Sequence, residues 1–288
     1  AFSVYILSQF FSHVNYHLPP PRDSGAFTRI EWQKSEGGMC MPFLFLSPST
    51  QDFNPYVTTG NEQYWMNQLA DRMEPYLHAS GVNVTRNDPN GSAAQSIRQS
   101  NAGRYDFHLA LHSNASPEAL AGRQRGIDVY YFPTSEEGLR MANILVDVLK
   151  TVYPLPERVR ALASVLIGEV RRTQAPSVLV ELGYHDNAED AAWLTGSLDA
   201  VAAALSEGVT EYFGLPFLPP VPVRNGVVSL ASGSLYLRAL PTTEAQALAQ
   251  IPNGASVRIL GTFDTWYSAE YDGLYGFVAS RYITLSSE

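Results

Sequence analysis

The sequence predicts an α/β fold, an open and mostly parallel sheet with helices on both faces, followed by a small all-β barrel. Three observations carry that prediction. Short apolar runs with the look of buried strands alternate with segments of helical periodicity from Pro42 to about Phe213. Pro216, Pro219, Pro220 and Pro222 then interrupt the pattern, in a stretch where extended backbone is favoured over helix. The remainder is rich in β-branched and aromatic residues, with turn signals at Asn253-Gly254 and Asp272-Gly273. These limits divide the chain into an extension over residues 1–41, an α/β domain over 42–214, a proline-rich linker over 215–225 and a barrel over 226–288.

Taken in order, Phe43 to Leu46 is apolar on both faces, as a strand covered on two sides must be. Trp65, Met66, Leu69, Met73 and Leu77 form a helical stripe between an Asn61 N-cap and Gly81, with Pro75 expected to kink it. Val82 to Arg86 reads as a strand, Ser92 to Asn101 as a helix, and Phe107 to Leu111 as a strand leaving through His112-Ser113-Asn114. Ile127 to Phe132 is a further strand and Glu136 to Lys150 a helix. Ser177 to Val180 is a buried strand leaving at Glu181, and a last helix spans about Ser197 to Phe213.

Composition narrows the function. The formal charge of −9, with Lys and Arg scattered, leaves no basic stripe for nucleic acid, so any hold on a cell envelope must come from shape and hydrogen bonding. The sequence reads as that of a soluble protein without a membrane span. Cys40 is the single cysteine, which excludes an internal disulfide and any multi-cysteine zinc cluster. A metal, if bound, needs His and carboxylate. The first forty residues hold no basic region followed by an apolar core and a small-residue cleavage site, so no signal peptide is recognisable. Met41, with codons for Glu36, Gly37 and Gly38 just upstream, is a candidate natural start.

Ligands in open α/β sheets sit beyond the carboxyl ends of the strands, so the Ser47–Gln51 loop, His112 and Glu181 are expected to converge, with Glu62 at the same rim. His112 and Glu62 are the ligand types of a catalytic zinc, and Glu181 is then free to accept a proton from water. The competing readings are structural: a strand-end His capping a loop, and an acidic residue complementing a helix dipole.

Three ordered motifs sharpen the choice. Leu109-Ala110-Leu111-His112-Ser113-Asn114-Ala115, Gly126-Ile127-Asp128-Val129-Tyr130-Tyr131, and Pro176-Ser177-Val178-Leu179-Val180-Glu181-Leu182-Gly183-Tyr184-His185-Asp186-Asn187 resemble the type 3 family of N-acetylmuramoyl-L-alanine amidases. The resemblance covers roughly Phe43 to Phe213. It implies a Zn2+ enzyme of peptidoglycan catabolism that cleaves the amide between N-acetylmuramic acid and the L-Ala of the stem peptide. It also implies Glu62 and His112 as zinc ligands and Glu181 as the catalytic carboxylate. The tail is similar to the bacterial SH3 (SH3b) family in Gly233-Ser234-Leu235-Tyr236-Leu237-Arg238-Ala239, Ile251-Pro252-Asn253-Gly254, Trp266-Tyr267 and Gly273-Leu274-Tyr275-Gly276-Phe277-Val278. That likeness implies an SH3-like barrel holding the wall, with Tyr236, Trp266 and Tyr275 as candidates for an aromatic groove.

One departure matters. The family usually carries Asp-Pro-Gly-His-Gly after the first strand, its His a third ligand, where this chain reads Ser47-Pro48-Ser49-Thr50-Gln51. His185, which follows the catalytic strand, and Gln51 are the candidates to replace it. His108 reads as a satisfied core histidine. Asn114, Arg171 and Arg172 are weaker candidates for substrate contact, the arginines through a stem-peptide carboxylate or simply solvated. Two functions compete: an active cell-wall hydrolase, whether autolysin, sporulation lysin or phage endolysin, and a degenerate domain that binds peptidoglycan without cutting it. A metallopeptidase cutting within the stem ranks below both.

Overall fold

In the computed structural model, residues 42–286 are described; the extension, Cys40 and the Met41 start lie outside that range. The α/β part contains β1 (Phe43–Pro48), α1 (Glu62–Ala79), β2 (Asn83–Arg86), α2 (Ala93–Ala102), β3 (Phe107–Asn114), β4 (Ile127–Tyr131) and α3 (Glu136–Lys150). These are followed by β5 (Val159–Ala163), α4 (Gly168–Arg171), β6 (Ser177–Tyr184), α5 (Ala188–Gly196) and α6 (Leu198–Phe213). The sheet order is β2-β1-β3-β6-β4-β5. All pairings are parallel except β4 against β6, which run antiparallel.

Period-two alternation sorts the strand residues between two unequal faces. Leu44, Leu46, Phe107, Leu109, Leu111, Ile127, Val129, Val178, Val180 and Leu182 join the main core, against the long helices α1, α3 and α6 of 18, 15 and 16 residues. The alternate residues include His108, Ala110, His112, Leu179, Glu181 and Asp128. Their face is covered by α2 and α4, of ten and four residues, with only a small apolar cluster of Ala110, Val170 and Leu179. Large apolar burial on one face stabilises the sheet and leaves the other free to carry polar groups.

Helix α1 begins where Asn61 caps it, its side chain accepting from Tyr64 N, and runs through Pro75 without a break. The sequence predicts a kink there. Pro75 is exposed, so the carbonyl its missing N–H leaves free is on the water side of the helix. Beyond α1 the chain turns at Gly81, whose φ of +85° is open to glycine at little cost.

The C-terminal part is an all-antiparallel sheet of seven strands: β7 (Arg224–Val228), β8 (Ser234–Arg238), β9 (Ala247–Pro252), β10 (Ser256–Phe263), β11 (Trp266–Tyr271), β12 (Leu274–Ala279) and β13 (Ile283–Leu285). Their order is β13-β7-β10-β11-β12-β8-β9, around a core of Val228, Leu235, Leu237, Ile251, Val257, Ile259, Ala269 and Val278. The barrel and the α/β part belong to one compact unit. Phe277 is fully buried and joins the main core of the α/β part; its ring approaches to 2.7 Å of where a Cβ on Gly81 would stand. Asn83 exchanges two hydrogen bonds with the backbone of Tyr275, donating at 3.0 Å and accepting at 2.9 Å. The Tyr275 ring stacks on His78 at 3.8 Å. The proline-rich segment is drawn into the same contact: Phe217 stacks on Tyr76, and Leu218 N donates to Ser80 Oγ at 2.9 Å.

Tyr275 is therefore engaged in docking, away from the groove in which the sequence analysis places it. Tyr236 and Trp266 do line a groove on the barrel, together with Arg238, Arg281 and Tyr282.

Among the described residues, no helix is long and apolar enough to cross a membrane.

Candidate active site

The adjacency of β1, β3 and β6 brings the three polar strand ends to one edge. In-register pairing sets His112 on β3 beside Glu181 on β6, Glu181 beside Asp128 on β4, and Asp128 beside Arg160 on β5. The result is a polar row across four strands of the thinly covered face. Asp128 is buried and accepts from Arg160 Nε at 3.0 Å and Nη2 at 2.7 Å.

Glu62, the first residue of α1, is 1% exposed. Its Oε1 lies 2.8 Å from His112 Nδ1, and its Oε2 accepts from Asn54 Nδ2 at 2.7 Å. Asn54 also accepts Glu62 N at its backbone oxygen, so the β1–α1 loop is latched onto the helix that carries the carboxylate. Gln51 joins the group: its side-chain nitrogen is 3.3 Å from His112 Nδ1, while its side-chain oxygen accepts from Asn54 at 3.1 Å. Burial alone would raise the Glu62 carboxyl, but the hydrogen bond and charge of His112 bring it below its ordinary range.

Behind His112 stands a residue the sequence analysis does not single out. Glu169, on the single-turn helix α4, is buried with its Oε2 3.3 Å from His112 Nε2. Its Oε1 accepts from Ser47 Oγ at 2.6 Å and lies 3.2 Å from His108 Nε2. Burial opposes ionisation of Glu169, yet its histidine partners hold it well below the usual carboxylate range. For His112, burial disfavours the proton, but Glu169 on one side and Glu62 on the other keep the ring well above an ordinary imidazole. One turn of helix offers no periodicity to find; a lone acidic residue before an apolar strand was the only signal.

Glu181 has the opposite character. Its Oε2 is buried with no hydrogen-bond partner among the described residues. Burial pushes its pKa up to about 7, His112 pulls against that, and the charges of Glu62 and Asp128 add to it. A carboxyl poised near neutrality beside a His–carboxylate pair is the arrangement expected of a general base.

The remaining candidates fall outside this contact. His185 is buried, its Nδ1 3.1 Å from both Ser113 Oγ and Ser113 O, its ring stacked on Tyr56 at 5.5 Å. Asn114 is half-buried, its Oδ1 accepting from Ala115 N and its backbone oxygen from His185 N. Arg171 and Arg172 are exposed. His108 is wholly buried, Nδ1 facing Ser100 Oγ at 3.0 Å, in keeping with a satisfied core histidine, but its other nitrogen supports Glu169.

Among the described residues no three His, Cys, Asp or Glu side chains form a group able to hold a metal ion. The donors that fit a divalent cation are two, the Glu62 carboxylate and the His112 Nδ1 side, with the neutral Gln51 amide alongside. The pair suits zinc in chemistry and falls one strong donor short in number.

A mixed α/β sheet whose strand ends gather a buried histidine, a paired carboxylate and an unpaired one defines a domain of the hydrolase type. The chain belongs to the N-acetylmuramoyl-L-alanine amidase family, whose model matches residues 51–211, more than half its length. Residues 233–284 match the bacterial SH3 domain. The amidase match begins at Gln51, beyond β1. LytC of Bacillus subtilis (strain 168), an N-acetylmuramoyl-L-alanine amidase, is 27% identical over 152 residues, covering 50% of this chain and 30% of that protein. This chain thus spans about a third of the length of that curated relative. Among solved structures, the amidase AmiC2 of Nostoc punctiforme is 17% identical with a TM-score of 0.52, covering 62% of this chain and 99% of that one. The catalytic domain of the amidase CwlV from Bacillus (Paenibacillus) polymyxa var. colistinus is 18% identical with a TM-score of 0.53, covering 61% and 100%. Both show the shared fold.

Proposed function

We propose that the protein is a peptidoglycan hydrolase that acts at the cell wall on the amide between N-acetylmuramic acid and the L-Ala of the stem peptide. One observation carries the reading: a buried carboxylate oxygen of Glu181 without a partner, beside the Glu62–His112 pair, in a chain of the amidase family. The division at residues 215–225 into a catalytic part and a wall-holding barrel belongs to the same proposal.

Glu62 and His112 would hold a zinc ion, with Gln51 as the third protein donor once a half-turn of its amide exchanges nitrogen for oxygen. When bound, zinc supplies a Lewis acid for the scissile carbonyl and acidifies a water. Glu181 is the base: its ionised Oε2 accepts a proton from the attacking water and returns it to the L-Ala nitrogen as the amide breaks. Asn54 keeps Glu62 turned into the site through two hydrogen bonds. Burial first, with the charges of Glu62 and of Asp128 held by Arg160 adding to it, keeps the Glu181 proton affinity high enough for it to serve as acid in the second half of the reaction.

The alternative, a wall-binding protein that does not cut, is favoured by the missing third imidazole. Purified peptidoglycan separates the two. Release of stem peptides by the wild type, abolished in Glu181→Gln with wall binding retained, supports the amidase. Equal and negligible release by both supports the binder.

A further inference from the structure

The buried cluster behind His112 has no part in the proposed proton transfers, yet it is built with few degrees of freedom. Glu169 receives the Ser47 hydroxyl at 2.6 Å, His108 Nε2 at 3.2 Å and His112 Nε2 at 3.3 Å. All four side chains are buried. An ionised carboxylate only accepts, so each group facing it must bring a proton. For His108 the assignment closes at the other nitrogen, since Nδ1 can accept from the Ser100 hydroxyl 3.0 Å away. For His112 the Glu169 contact puts a proton on Nε2, while by the same rule Glu62, 2.8 Å from Nδ1, draws a second proton to the nitrogen turned toward Glu62 and Gln51, one that a metal bound there would displace. Three elements converge on it: Ser47 lies near the end of β1, both histidines lie on β3, and Glu169 rides on α4.

We propose that Glu169 is the positioning residue of the site, fixing the His112 ring with its proton on Nε2 and its Nδ1 presented to Glu62 and Gln51. A carboxylate behind a metal-facing histidine sets the tautomer and raises the basicity of the nitrogen that binds. Here the same carboxylate is anchored by two further donors from neighbouring strands, so α4, β1 and β3 share one proton-ordered contact. The inference takes the metal-facing side of His112 from the function proposed above, but its proton placement stands without it.

The test is nitrogen-15 NMR of histidine-labelled, metal-free full chain, the His112 signals being those lost in His112→Gln. The proposal expects a proton on His112 Nε2 in the wild type, and its loss or a marked shift in Glu169→Gln. Titration with zinc alone should show Glu169→Gln binding about 10- to 100-fold more weakly than wild type, with an unchanged circular dichroism spectrum. An unprotonated Nε2 in the wild type, or zinc affinity and His112 signals in a folded Glu169→Gln matching the wild type, overturns the proposal. If Glu169→Gln does not fold, the wild-type spectrum alone decides. If the wild type takes up no zinc but Nε2 is protonated, the metal reading of the site falls and the positioning by Glu169 stands.

Discussion

At the residue scale the site is a contrast between two carboxylates, Glu62 at the start of α1 and Glu181 on β6. Glu62 is held ionised by a histidine, while Glu181 has a buried Oε2 without a partner among the described residues and is pushed up to about 7. Only the ionised form of Glu181 accepts a proton, so activity should fall as pH drops below about 7; a pH–rate profile of stem-peptide release checks it. Glu181→Gln should lower that rate by 100-fold or more. The same substitution should affect stability with a definite sign. Between 4.5 and about 7 the folded protein keeps a proton on Glu181 that the unfolded chain has released, so the native carboxyl costs stability as pH rises through that window. Glu181→Gln should therefore gain up to about 3 kcal/mol relative to wild type on going from pH 4.5 to above pH 7, measured by urea unfolding. Gln51→His would supply the missing imidazole and should tighten zinc binding, read by titration calorimetry.

At the element scale the site depends on how β6 is tied to its neighbours. Asp190, on α5, is 1% exposed and accepts from Tyr153 Oη at 2.7 Å, Arg125 Nε at 2.8 Å, and the backbone N–H groups of Gly126 and Tyr184 at 3.1 Å. One carboxylate thus fixes the start of β4 and the end of β6, the two strands that carry Asp128 and Glu181. Asp190→Ala should cost about 3–5 kcal/mol in unfolding free energy, because it leaves buried donors and a cation without their partner. The elements with full periods were legible in the sequence: α3 occupies Glu136–Lys150 as the spacing predicts, and β1, β3 and β6 are continuous apolar runs. What escaped was short or positional. Strand β5 reads Val-Arg-Ala-Leu-Ala at the sheet edge, α4 is one turn, and the antiparallel direction of β4 leaves no trace in local pattern. Glu62, His112 and Glu181 were readable as strand-end and cap residues carried by motifs. Glu169 was not, because its contacts reach 57, 61 and 122 residues along the chain.

At the scale of the whole molecule, the barrel shares a core with the α/β part through Phe277. Phe277→Ala should cost about 3–5 kcal/mol and split one cooperative melt into two, seen by calorimetry. The proline-rich segment, now packed through Phe217 and Leu218, should then become the first site cut in limited proteolysis. Helix α1 makes the geometry explicit: Glu62 opens it at the site, and His78, 16 residues later near its end, stacks on Tyr275 of the barrel. At 1.5 Å per residue that is a strut of about 24 Å. Under the proposed function, a molecule braced in this way acts as a caliper: the wall strand gripped by the barrel and the bond cut at the site stand a fixed span apart, so cross-link spacing, more than affinity, decides which bonds come within reach.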